Sequence, residues 1–228
     1  MKAMILAAGK GERMRPLTLT TPKPLLQAGG RPLIAYHLDQ LRRAGFEDIV
    51  INHSWLGQKI EDYLGDGHSF GVAITYSREP QPLETAGGIR QALPLLTQNT
   101  NDWFVVVNGD TWTDFDFNRL KPPAGNHKAL LVLVDNPEHN PNGDFHLGPQ
   151  GDVDPTGPNR KTFAGISVLH RSLFEELSPG YHRLAPVLIE AMAQGEVIGL
   201  LHDGDWLDVG SPERLADLDR RLGLAEST

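Results

Sequence analysis

Residues 6–26 read LAAGKGERMRPLTLTTPKPLL. They gather Gly9, Lys10, Gly11, Arg13, Arg15 and Lys23 around a single acid, Glu12. Glycines let successive backbone N–H groups converge on an anion, and the cations add charge to the same place. The chain as a whole is acidic, with 21 Lys and Arg against 29 Asp and Glu and a formal net charge of -8. A basic loop in an acidic protein suits something small and anionic. It does not suit a nucleic acid, which needs a broad basic face.

Two acids stand apart from the others. In VVVNGD, Asp110 follows an apolar run, where a parallel sheet places its ligands. Asn-Gly-Asp is also good turn chemistry, so site and turn weigh about equally there. In WLDVG, Asp208 lies between Leu207 and Val209, and an isolated carboxylate among apolar residues is costly to bury without a partner. Asp114, Asp116 and Asp205 read as solvated or capping acids. The nine histidines show no metal spacing, and Trp55 and Trp112 stand at strand ends where they could line a cleft.

The elements that must hold these residues alternate in the first half. KAMILAA, EDIVIN, VAITYS and WFVVVN read as strands, the last fully apolar and central. Between them lie three helical stretches: PLIAYHLDQLRRAG, with Pro32 as its first residue; WLGQKIEDYLG, capped by Ser54; and TAGGIRQALPLL. Alternation at this spacing predicts an α/β fold with a parallel sheet and right-handed crossovers. The second half predicts strands at KALLVLV, TFAGISVLH, VIGLLH and WLDVG. It adds a short hairpin in DFHLGPQGDV, a helix at LAPVLIEAMAQG and a closing helix with Ser211 as N-cap and Pro212 next. No linker or repeat interrupts residues 1–228, which read as one domain with AEST as a frayed tail. The chain has no Cys, which excludes disulfides and thiolate metal sites. Its apolar start is too short for a signal segment, and no stretch reaches membrane-spanning length, so a cytoplasmic protein is expected.

A lone G-x-G is weak evidence. The third glycine of a dinucleotide fingerprint is missing, the second strand ends in Asn52-His53 without a ribose-binding acid, and no Walker string occurs. The longer string is specific. Gly9, Gly11, Arg13, Pro16, Thr18, Pro22 and Lys23 resemble the signature of the sugar-1-phosphate nucleotidyltransferases, the NDP-sugar pyrophosphorylases. WLDVG, EPQPLETAGGI and PNGDFHLGPQGDV continue the likeness over nearly the whole chain.

The resemblance implies a Rossmann-like, mixed and mainly parallel sheet flanked by helices, without a C-terminal β-helix. It implies transfer of a nucleotidyl group from a nucleoside triphosphate to a sugar 1-phosphate. The closest-looking branch is short and bacterial and uridylylates N-acetylmuramate 1-phosphate during cell-wall recycling; UTP would then be the donor. A mannose-1-phosphate guanylyltransferase and a catalytically silent nucleotide-sugar sensor are the alternatives. Residue by residue, the resemblance implies that Ala8, Gly9, Gly11 and Glu12 cradle the triphosphate, with Arg13 on its β- and γ-phosphates. Lys23 bridges the α-phosphate and the sugar phosphate, so Arg13 and Lys23 are the catalytic cations. Gln81, Thr85, Gly87 and Gly88 receive the base, and Asn108 approaches the ribose and the sugar. Gly143 and Gly165 face the sugar. Asp110 and Asp208 hold Mg²⁺ through hard carboxylate oxygens. The family's Glu-Lys-Pro is replaced here by DPTGPNRKTF, and Arg160 and Lys161 are expected to offer a cation to a sugar carboxylate. No nucleic acid or membrane partner is implied, and without hexapeptide repeats a monomer is expected.

Overall fold

The computed structural model describes residues 1–97 and 101–225. Strand β1 (Lys2–Ala7) leads into a loop of three single 3₁₀ turns and a two-residue ladder, β2 (Gln27–Ala28) with β3 (Arg31–Pro32). Helix α1 (Leu33–Arg43), β4 (Asp48–His53), α2 (Gly57–Leu64), β5 (Ala73–Arg78), α3 (Glu84–Leu96) and β6 (Trp103–Asn108) complete the alternating half. Then come β7 (Thr111–Thr113), β8 (Ala129–Val134), β9 (Phe145–Leu147), β10 (Val153–Asp154) and β11 (Arg160–His170). Helix α4 (Leu184–Ala193), β12 (Val197–His202), β13 (Trp206–Asp208) and α5 (Pro212–Ala225) end the fold.

The sheet is mixed. Strands β6, β1, β4 and β5 are parallel neighbours in that order. Strand β11 runs antiparallel to β6 and to β8, and β12 returns parallel to β8. The expected hairpin is β9–β10, and its first strand pairs with the start of β11. Sheet alternation explains the two cores. Ala3, Ile5 and Ala7 face Ile34, Leu38 and Leu41 of α1, whereas Met4, Phe104 and Val106 face Ala86, Ile89 and Leu93 of α3. A third cluster joins Met14, Leu26 and Ala28 to Leu33, Val209 and Leu218. It anchors the loop after β1 between α1 and α5. Each fully buried Leu or Met in it contributes about 1.5–3 kcal/mol.

Three helix starts differ in detail from the sequence reading. Pro32 is the N-cap of α1 rather than its first residue. Ser54 does not cap α2: its carbonyl accepts the Gly57 N–H at 3.2 Å in a preceding turn, and Leu56 occupies the cap. Helix α3 begins one residue early, at Glu84. Ser211 does cap α5, its Oγ accepting the Arg214 N–H at 3.4 Å. Ala225 ends that helix, and 226–228, read as part of a frayed tail, lie outside the described residues.

His37, on the buried face of α1, is fully enclosed, with the Thr111 backbone and Asp110 close enough to favour its charged form weakly. Burial pushes its pKa from 6.5 down to about 4. The unfolded chain therefore binds the extra proton between those values, so stability is complete above pH 6.5 and falls as the pH drops toward 4. The loss is about 3 kcal/mol at full protonation. Chemical denaturation between pH 7 and 4 should show this slope, and His37→Leu should flatten it.

Candidate active site

The loops after β1, β4 and β6 emerge at the carboxyl ends of adjacent parallel strands, where open α/β sheets bind ligands. Three adjoining cavities lie there, of 230, 670 and 340 Å³. Gly9 to Met14 form one wall of the second cavity, and Lys23 reaches the first two. Gly11 turns the loop with a φ of +61°, and a Cβ there would stand 2.8 Å from the Thr18 methyl. The turn is closed by Thr18 Oγ1, which donates to the Gly11 carbonyl at 2.7 Å. From the neighbouring segment the Trp55 indole N–H donates to the Thr18 carbonyl at 2.9 Å, and Lys59 Nζ to that of Thr20 at 2.6 Å. Trp55 thus fastens the loop rather than lining the cleft, and Trp112 packs against the third core cluster.

Arg13 is exposed and lines the second and third cavities. Lys23 is nearly buried, and its Nζ lies 2.5 Å from Asp110 Oδ2. Asp110 and Asp208 line the same third cavity. The antiparallel β7–β13 ladder sets Asp208 opposite Thr111, and the Val209 N–H donates to the Asp110 carbonyl at 2.8 Å. Asp208 also bonds Arg214, and His139 Nε2 lies 2.8 Å from both the Asp208 carboxylate and Arg214 Nη1. No three His, Cys, Asp or Glu side chains converge as a metal cage among the described residues. Two carboxylates on one cavity are hard oxygen donors of the kind a divalent ion takes alongside phosphates and water. Of the other acids, Asp116 caps a short turn and Asp114 pairs with His202 at 2.9 Å.

Ala8, Gly9, Thr85 and Asn108 lie on the first cavity, and Gly11, Glu12 and Gln81 on the second. Asn108 also reaches the third. Five expected site residues are not among those lining the three cavities. A Cβ on Gly87 would strike the Gly180 carbonyl, and one on Gly88 would meet Glu79 Oε1 at 2.6 Å. These glycines let chain segments pack closely, and neither is among the residues lining the three cavities. Gly165 sits where β11 shifts register, its backbone against Asn108. Gly143 packs against Asn136 and Arg160. Arg160 corrects the expectation most clearly. Its guanidinium donates to the carbonyls of Asn142, Gly143, Asp144 and Pro155, at 2.7–3.1 Å. Lys161 turns to Asp135 at 2.6 Å. Both side chains are engaged by other groups, and neither is among the residues lining the three cavities. Arg160→Ala should lower stability by about 2 kcal/mol, a melting shift of roughly 4–8 °C, and leave sugar preference unchanged in steady-state kinetics.

Sequence reasoning overlooked a polar chain beneath the first cavity. The Ala7 N–H donates to Asn52 Oδ1 at 3.0 Å, Asn52 Nδ2 donates to Glu79 Oε1 at 2.6 Å, and the Leu83 N–H donates to Glu79 Oε2 at 2.9 Å. Burial raises the Glu79 pKa. His139 and Asn140 on the third cavity, and Tyr181 on the second, were likewise not singled out.

The chain matches the family described as nucleotidyl transferase over residues 2–223. It is 53% identical to the N-acetylmuramate alpha-1-phosphate uridylyltransferase of Neisseria meningitidis, covering 98% of this chain and 99% of that protein. A mannose-1-phosphate guanyltransferase of Neurospora crassa is 31% identical over 93% of this chain, which spans 62% of that longer protein. Among solved structures, a Bacillus anthracis protein described as a glucose-1-phosphate thymidylyltransferase and bound to sucrose superposes with a TM-score of 0.83. It is 23% identical and covers 98% of this chain and 95% of its own. HddC from Yersinia pseudotuberculosis, complexed with GMP-PN, gives 0.78 at 19% identity, covering 96% and 98%. These two share the fold.

Proposed function

The chain belongs to the nucleotidyl transferase family, and we propose that it transfers UMP from UTP to N-acetylmuramate α-1-phosphate, yielding UDP-N-acetylmuramate and pyrophosphate. It is an enzyme, so the reading as a silent sensor is set aside. The observation that carries the substrate choice is the 53% identity to the Neisseria uridylyltransferase over almost its whole length. The proposal treats residues 1–228 as one catalytic domain, working as a monomer in the cytoplasm. No helix among the described residues is long and apolar enough to cross a membrane.

In the proposed reaction a sugar-phosphate oxygen attacks the α-phosphorus in line. The new O–P bond forms as the bond to the β-phosphate oxygen breaks, and pyrophosphate leaves with its electron pair. The chain's work is positioning and charge stabilisation. Backbone N–H groups from Ala8 to Glu12 cradle the triphosphate, and the Arg13 guanidinium offers a fork to the β- and γ-phosphates. Lys23, poised on Asp110 without substrate, brings a compact cation to the α-phosphate and the incoming sugar phosphate. Gln81 and Thr85 offer hydrogen bonds to the base, and Asn108, between two cavities, contacts ribose and sugar. Nucleotidyltransferases of this family generally use a divalent metal. We assign Mg²⁺, held by Asp110 and Asp208, which would neutralise charge on the α-phosphate.

The test is a grid of nucleoside triphosphates against sugar 1-phosphates, read by pyrophosphate release. UTP with N-acetylmuramate 1-phosphate should give the highest kcat/KM. A maximum at GTP with mannose 1-phosphate would move the chain to the guanylyltransferase branch and leave the phosphate and metal assignments standing.

A further inference from the structure

Glu84 opens α3 with a φ of +61°. Leu56 is the other residue besides glycine with a positive φ among the described residues, and it lines none of the three cavities. Such a backbone costs an L side chain stability that glycine does not lose. The bend itself serves the main chain: the Leu83 N–H reaches Glu79 Oε2 at 2.9 Å, and the Leu83 carbonyl accepts the His182 N–H at 3.0 Å. A glycine at 84 would allow the same bonds without strain, so the bend does not explain the carboxylate. Strain kept where the fold does not require it points to function.

The position of Glu84 supplies one. It lines both the first and the second cavity, the second shared with Gly9–Met14, Gln81 and Tyr181. The residue is exposed, Arg183 is close enough to interact with it electrostatically, and Lys10, Arg13 and Lys23 line the second cavity with it. A carboxylate there repels phosphates and favours donors. On a nucleoside triphosphate the donors lie at the opposite end from the phosphates, on the ribose hydroxyls and the base N–H. We propose that Glu84 is a specificity-determining residue whose carboxylate accepts a hydrogen bond from the nucleoside, and that its charge turns the triphosphate toward Arg13 and Lys23. The inference rests on reading these cavities as a nucleotide site.

Glu84→Gly and Glu84→Gln test it, with thermal melting and with calorimetric binding of UTP, 2′-deoxy-UTP and CTP. The glycine variant should melt a few degrees higher because strain is relieved. It should bind UTP roughly tenfold more weakly, the scale of one hydrogen bond to a charged group. Gln, which keeps an acceptor oxygen, should recover part of that loss. If the donor is the ribose 2′-hydroxyl, the wild-type preference for UTP over 2′-deoxy-UTP should collapse in Glu84→Gly. If it is the uracil N3–H, the preference over CTP should collapse instead. A higher melting point with unchanged UTP affinity and unchanged ratios would overturn the assignment, and so would a lower melting point. Failure of the wild type to bind any of the three would overturn the nucleotide reading itself.

Discussion

Asp110→Asn and Asp208→Asn are each expected to lower UDP-sugar formation by at least about a thousandfold, the factor that roughly 4 kcal/mol of transition-state charge stabilisation represents. The two carboxylates line one cavity and are tied through the β7–β13 ladder, so under the proposed assignment either substitution replaces one of two anionic ligands with a neutral amide. The two variants should differ in stability. Asp110→Asn leaves Lys23 without a counter-charge, and the Lys23 side chain is only 11% exposed. Asp208→Asn leaves Arg214 and His139, which are more accessible. The Asp110 variant should therefore melt lower, although both should fold. Circular dichroism checks the fold, and initial rates with excess Mg²⁺ or with chelator check the chemistry. Wild-type-like rates in both variants, or full activity in chelator, would remove the metal from the account.

Lys23→Ala should lower kcat by about 10²–10³, the range found when one preorganised electrostatic stabiliser is lost. The lysine is nearly buried and held by Asp110, so its position is set before substrate arrives. Its charge should matter most as negative charge gathers at the α-phosphorus, which lowers kcat more than it raises KM. Arg13→Ala should also weaken nucleotide binding, because that guanidinium is exposed on the cavity wall and its contact would already exist in the ground state. Were Lys23→Ala to raise KM alone, the lysine would be a ground-state binder and the mechanism would need another cation.

What could be read from the sequence was local. The glycine loop, Lys23 and the strand-end Asp110 lie close to a strand that its apolar run announces, and the alternating first half follows from hydrophobic spacing. What could not be read depends on distant partners. Strand β7 is three residues long and exists through pairing with β13, some 95 positions away, so TWT carries little signal of its own. Arg160 looked free because the sequence does not reveal that four hairpin carbonyls converge on it. Gly87 and Gly88 looked like space for a base; on the side a Cβ would occupy they pack against Gly180, Glu79 and Asn52, contacts the sequence does not reveal. Glu79 and Asn52 lie on different strand ends and become a network when β4 and β5 align in parallel.

The central claim is that this site moves UMP onto the phosphate of a muramic acid derivative. The most direct measurement supplies UTP labelled at the α-phosphorus together with equal amounts of N-acetylmuramate 1-phosphate and N-acetylglucosamine 1-phosphate, then separates the nucleotide sugars. The account predicts that the label enters UDP-N-acetylmuramate, that unlabelled pyrophosphate is released in equal amount, and that little label reaches UDP-N-acetylglucosamine. Label predominantly in UDP-N-acetylglucosamine, or no labelled nucleotide sugar with either acceptor, would contradict it.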